Sequence, residues 1–199
     1  SYVMTSPLST GGIRGNRCHY GTFHPRSFNM GISREVYKST GGYRITRMGE
    51  DLEFSIRIIK KGFRVMLIER AWVYHKRRTD FGQFWRQLHF FGRARINLGR
   101  FHRGETRLIH TVPALFVLAL SLMPLLLFVE PLYTSVMALP LMAGLLVIII
   151  DATLKYRSLQ VGLLSAVAFL VQISAYGVGF ITEFMRNLGS GKTGGLFNR

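Results

Sequence analysis

The stretch Val112–Val129 reads VPALFVLALSLMPLLLFV and contains no charged residue. A helix needs about 20 apolar residues, with a range of roughly 17–25, to cross the hydrocarbon core of a bilayer, and this run is of that length. Two more follow, Leu132–Ile150 and Leu159–Ile181. Glu130-Pro131 breaks the first from the second, and Asp151–Arg157, with Lys155 and Arg157, parts the second from the third. Pro113, Pro124 and Pro140 are no obstacle, because neighbouring groups in a membrane bundle can satisfy the freed backbone. The pattern predicts an all-α transmembrane region of about three helices, against the alternative of buried core helices in a large soluble protein.

Upstream of Thr111 the chain changes character. Residues 1–110 hold 21 Lys and Arg against 7 Asp and Glu, a net +14, whereas residues 111–199 hold 5 against 3, a net +2. Arg93, Arg95, Arg100, Arg103 and Arg107 crowd the approach to the first apolar run. Cytoplasmic flanks carry an excess of Lys and Arg, so the first half is expected on the cytoplasmic side, with a bacterial inner membrane as its setting. The Lys155/Arg157 loop returns to that side. A third full crossing would put Arg186, Lys192 and Arg199 outside, against the rule, so one run is re-entrant or the tail is an exception. Cys18 is the single cysteine, which excludes an internal disulfide and fits a reducing compartment. The chain opens on Ser1 rather than Met and reads as part of a longer protein.

The basic half alternates short elements. Ser33 is placed to cap a helix through Thr40, stopped by Gly41-Gly42. Glu50–Lys61 reads as a helix with Leu52, Ile56 and Ile59 at helical spacing and Gly62 as its stop. Phe63–Ile68 and Ala71–Tyr74 are rich in β-branched and aromatic residues and read as strands. Thr79 or Asp80 then opens a long helix to about Leu98. Such alternation predicts an α/β layer, although two or three strands make an incomplete sheet. The expected organisation is an α/β unit over 1–110, transmembrane helices over 111–185 and a short basic tail over 186–199.

Two constellations carry chemistry. Three of the seven acids of the basic half are Glu50, Asp51 and Glu53, at a helix start after Gly49. A helix N-terminus favours negative charge, the state a general base needs, although acids also occur in first turns for capping alone. The second runs from Tyr74-His75-Lys76-Arg77-Arg78 into Gln83-Phe84-Trp85-Arg86-Gln87. Gln83, Arg86 and Gln87 fall at i, i+3 and i+4 and share one helix face. Guanidinium forks suit phosphate oxygens, so this face suits a phosphorylated substrate. The competing reading is a helix lying on anionic lipid, with Phe81, Phe84, Trp85 and Leu88 in the interface and Arg93 and Arg95 on headgroups.

Together these residues carry a resemblance. The run Phe28–Leu98 resembles the acceptor half of the membrane-associated family-2 glycosyltransferases. Asn29-Met30-Gly31, Arg34 and Gly41-Gly42-Tyr43 resemble that family's N-x-x-x-x-R…GGF segment. Gly49-Glu50-Asp51 with Leu52 and Arg57 resembles its E-D-x-x-x-x-x-R helix, and Gln83-x-x-Arg86 its Q-x-x-R-W motif. Gln87 stands where that motif has Trp, with Trp85 two positions earlier, a departure that weakens a processive reading.

The resemblance implies a partial GT-A α/β fold, with Asp51 as catalytic base beside Glu50. Gln83, Arg86, His75 and Asn29 would contact the substrate diphosphate. A divalent cation, Mg or Mn, is implied, held mainly by a preceding nucleotide-binding half with possible help from His75. No D-x-D metal motif occurs in this chain, so the chain alone is expected to be inactive. The implied activity is inverting transfer of a sugar from a nucleotide-sugar donor to a lipid-linked or cell-envelope glycan acceptor, in contact with membrane lipids. The rival is a non-catalytic basic module beside the membrane that binds anionic lipid or a protein partner. Nucleic acid is disfavoured, because positive charge next to a membrane segment is expected in any case.

Overall fold

The computed structural model describes residues 2–9, 24–25, 27–45, 48–68, 70–74, 78–102 and 104–190. Six α-helices organise them: α1 Arg34–Thr40, α2 Glu50–Lys60, α3 Phe81–Phe101, α4 Val112–Val129, α5 Pro131–Tyr156 and α6 Leu159–Ser190.

The ends of these helices follow local chemistry. The Ser33 hydroxyl accepts the Val36 N–H at 3.2 Å, and α1 stops at Gly41 in the left-handed region, φ 75°. Gly49, φ 98°, opens α2 with no side-chain cap of its own. Asp80 Oδ1 accepts the Gln83 N–H at 2.7 Å and starts α3. Glu130 ends α4, and its side chain accepts the Leu132 N–H at 3.3 Å to begin α5. The second apolar helix runs past Asp151 to Tyr156, so the break before α6 is Arg157-Ser158, with Arg157 left-handed at φ 52°. The third continues to Ser190 rather than ending at Ile181.

The expected α/β unit is not what forms. Among the described residues there is no strand and no sheet. Phe63–Ile68 and Ala71–Tyr74 join no ladder, and the Ala71 N–H reaches the Ile68 carbonyl at 3.0 Å. Their side chains stand in the open, Met66 at 76% and Tyr74 at 93% exposure. β-propensity describes how a side chain fits a pleated, half-buried surface; without a partner ladder it produces no strand. The fold described here is therefore helical, and the GT-A expectation is corrected on that ground.

The apolar helices are as expected. Leu108–Leu126, Leu132–Tyr156 and Leu159–Leu188 are long and apolar enough to cross a membrane. Pro124 lies inside α4 and Pro140 inside α5. Close approach between helices rests on glycine. A Cβ on Gly162 of α6 would stand 2.7 Å from the Ile149 carbonyl oxygen of α5, and one on Gly177 would stand 2.2 Å from that of Pro113 in α4. The Tyr2–Met4 turn packs on this base, with Tyr2 and Val3 against Ile148 and Ala152 and with Phe84 alongside. The Tyr2 hydroxyl donates to Asp151 Oδ2.

The basic helix α3 packs along α6. A Cβ on Gly92 would meet the Tyr176 carbonyl oxygen at 2.1 Å, and one on Gly179 would meet that of His89 at 2.1 Å. Only a residue without a side chain lets two backbones come so near. Arg93 Nε and Glu183 Oε2 pair across the same seam at 2.9 Å, with Glu183 buried.

Candidate functional site

The acid cluster divides in two. Glu53 turns inward and is 2% exposed. Arg57, one turn on, meets it with both arms of its guanidinium, Nε to Oε1 at 2.8 Å and Nη2 to Oε2 at 2.9 Å. The same Nη2 donates to the Gly42 carbonyl at 2.7 Å, and Nη1 donates to that of Thr40. His102 Nε2, at the end of α3, lies 3.3 Å from Glu53 Oε1. Burial pushes the Glu53 carboxyl up, but the hydrogen bonds and charges of Arg57 and His102 outweigh it and hold it below its ordinary value of 4.5. Arg57 thus spends its charge on structure, clamping the Gly41-Gly42 turn onto α2.

That clamp sets a prediction. Removing one partner of a buried ion pair leaves the other uncompensated and costs about 3–5 kcal/mol. Arg57→Met should therefore lower the unfolding midpoint in detergent sharply. Because Glu53's value is depressed in the fold, the stabilisation is complete above 4.5 and is lost as pH falls through that lower value. The wild type should lose stability below about pH 4.5 on this account, and the variant should show a flatter profile over that range.

Glu50 and Asp51 stay half-buried at the mouth of the helix. Glu50 Oε2 accepts the Gly49 N–H at 3.2 Å, and Asp51 Oδ1 accepts the Leu52 N–H at 2.8 Å. This end of α2 rests on α3. A Cβ on Gly49 would lie 3.7 Å from the Ala94 Cβ, and the Asn97 amide donates to Met48 S at 2.9 Å. At about 100° per residue, Gln83, Arg86, Gln87, Ala94 and Asn97 share an arc of about 100° on α3, and Gly92 on the α6 side lies opposite Gln83. One face of α3 is thus given to the apolar helices. The other carries the Gln83/Arg86 group and meets Met48 and Gly49, just before the acid pair. Arg86 precedes Ala94 by eight residues, about 12 Å along the axis at 1.5 Å per residue.

Gln83 and Arg86 are exposed and Gln87 is half-buried. Asn29 is exposed too, and its amide donates to the Ala71 carbonyl at 2.9 Å, tying down the extended segment. His75 lies outside the described residues. Among the described residues no three His, Cys, Asp or Glu side chains group as a metal site. The Glu53–Arg57 partnership went unread in the sequence, although its i, i+4 spacing was the available signal. Tyr43 also belongs here. Burial, and after it the charges of Asp51 and Glu50, push its phenol up.

A basic helical unit that displays two carboxylates and a guanidinium is joined to three helices long and apolar enough to cross a membrane, which defines a membrane-type protein. The family model of Glycosyl transferase family group 2 matches residues 23–177. That is more than half of the chain, and the chain belongs to this family. The match takes in every described site residue named above and runs through α4 and α5 to Gly177 of α6. No curated protein and no solved structure matches the chain.

Proposed function

We propose that this protein transfers a sugar, with inversion, from a nucleotide-sugar donor to an acceptor hydroxyl of a lipid-linked or cell-envelope glycan at the cytoplasmic membrane face. The observation that carries the reading is that Met48 and Gly49, just before the Glu50–Asp51 pair, touch Asn97 and Ala94 on the face of α3 that also bears Gln83 and Arg86, inside the family match. Asp51 takes the proton of the acceptor hydroxyl. The freed oxygen attacks the anomeric carbon from the side opposite the leaving group, and the bond from that carbon to the diphosphate oxygen breaks. The nucleoside diphosphate leaves with the bonding electrons, met by the guanidinium of Arg86 and the amide of Gln83. Asn29 and His75 are assigned to the same diphosphate. The cytoplasmic setting rests on the basic approach to α4.

A divalent cation, Mg or Mn, belongs to the proposal, but the described residues do not fit a metal site. The rival lipid-surface reading is weakened by the packing of α3. Leu88, one of its intended lipid contacts, is buried at 3% exposure, and Phe84 packs in the core; Phe81 and Trp85 alone of the four remain exposed.

The test uses the full-length protein in native membranes with a panel of labelled nucleotide sugars. A hydrogen bond to a charged group contributes about 1.5–3 kcal/mol, so Arg86→Ala should raise the donor KM by at least about tenfold. An unmoved donor KM would remove Arg86 from the diphosphate. Failure of the wild type to use any sugar nucleotide would sink the reading itself.

A further inference from the structure

Tyr43 combines rigid mounting with an open ring. Gly41 and Gly42, both left-handed at φ 75° and 68°, turn the chain just before it. Arg57 fixes that turn through the Thr40 and Gly42 carbonyls. Ile45, two residues on, is buried at 2% exposure, so the backbone is anchored on both sides. The Tyr43 ring lies 4.7 Å from the Phe54 ring, tilted by 54°. Phe54 is fully buried and also receives the edge of Tyr37 at 6.3 Å. Phe54 follows Asp51 by three residues on α2, so the two are neighbours on its surface. Tyr43 therefore sits beside the first turn of α2, yet it keeps 43% of its surface open.

We propose that Tyr43 is the acceptor platform: its exposed ring takes the C–H face of an acceptor sugar and presents that sugar's hydroxyl to Asp51. The acceptor end is on this account a saccharide, not a bare lipid phosphate. This rests on the sugar-transfer reading above. An aromatic face is electron-rich, and the C–H groups of a pyranose face are the weakly positive, weakly hydrated part of a sugar. The hydroxyls around the ring's rim stay free to reach the carboxylates. A ring mounted on a clamped turn loses little freedom on binding, which is how preorganisation raises affinity. The burial of its hydroxyl and the neighbouring carboxylates favour the neutral phenol, which can donate a hydrogen bond to a sugar oxygen.

The test compares Tyr43→Phe, Tyr43→Trp and Tyr43→Leu in the full-length membrane protein. The acceptors are a short oligosaccharide and a sugar-free polyprenyl phosphate, and donor hydrolysis is followed without acceptor. Leucine still covers Phe54 but offers no aromatic face. Tyr43→Leu should raise the oligosaccharide KM about five- to tenfold, the scale of one aromatic contact, with the donor KM unmoved. Tyr43→Phe should stay within about threefold of wild type. Should the leucine variant fail to fold, tryptophan carries the test, since it must retain or lower the oligosaccharide KM. A rise there, or an oligosaccharide KM unmoved by leucine, overturns the assignment alone. So does a wild type that glycosylates only the sugar-free polyprenyl phosphate. A wild type with neither transfer nor donor hydrolysis overturns the transfer reading and this inference with it.

Discussion

Asp51→Asn should lower kcat for sugar transfer by about 10²–10⁴-fold, the range a positioned general base contributes, while leaving the donor KM near wild type. The substitution suits the question because its structural cost is small. Asp51 Oδ1 accepts the Leu52 N–H at 2.8 Å, and the asparagine carbonyl oxygen can accept the same bond. The first turn of α2 survives; what is lost is the capacity to take a proton. Glu50 stands next door, its own carboxylate on the Gly49 N–H, so Glu50→Gln is the necessary companion. If Glu50→Gln costs more than Asp51→Asn, the proton goes to Glu50 and the roles exchange. If Asp51→Asn keeps more than about a tenth of wild-type kcat, the base lies elsewhere. Donor binding, followed separately by equilibrium titration, guards against a global effect.

Much of the scaffold under this experiment was legible in the sequence because it depends on near neighbours. Ser33, Gly41 and Asp80 punctuate helices through hydrogen bonds and dihedrals within four residues, and the structure uses all three. The apolar runs needed only length and composition. What was not legible depends on residues distant in the chain. Phe63–Ile68 and Ala71–Tyr74 have strand composition, but pairing is a property of a partner, and none meets them among the described residues. Helical spacing singles out Leu52, Ile56 and Ile59 in α2. The buried set instead includes Glu53, Phe54 and Arg57 beside Ile56, because the Gly41-Gly42 turn and His102 supply the partners that let a charged pair enter. The site divides in the same way. Neighbouring acids and an i, i+3 amide–guanidinium pair are visible in a string of letters. That the turn before Asp51 meets the Arg86 face of α3 follows only once Met48 and Gly49 are seen resting on Asn97 and Ala94.

The seam between α3 and α6 should be the least forgiving place in the molecule. Gly92→Leu and Gly179→Leu should each unseat α3 and lower the unfolding midpoint in detergent by far more than Gly144→Leu. A Cβ at Gly92 or Gly179 meets a backbone carbonyl oxygen at 2.1 Å, whereas one at Gly144 meets nothing within 4 Å. A flexible side chain could swing aside; a helix backbone can yield only by moving the helix. Overpacking alone costs about 1–3 kcal/mol. Separating the helices also exposes or strands the Arg93–Glu183 pair, whose loss adds to it. The functional consequence follows from the two faces of α3. Its α6 side is fixed by these glycines, and the opposite side bears Gln83 and Arg86, so a tilt of one is a displacement of the other. Equal melting of Gly92→Leu and Gly144→Leu would show that α3 does not depend on this seam. The Gln83/Arg86 face would then have to be positioned from the α2 side alone, through the Met48, Gly49 and Glu53 contacts.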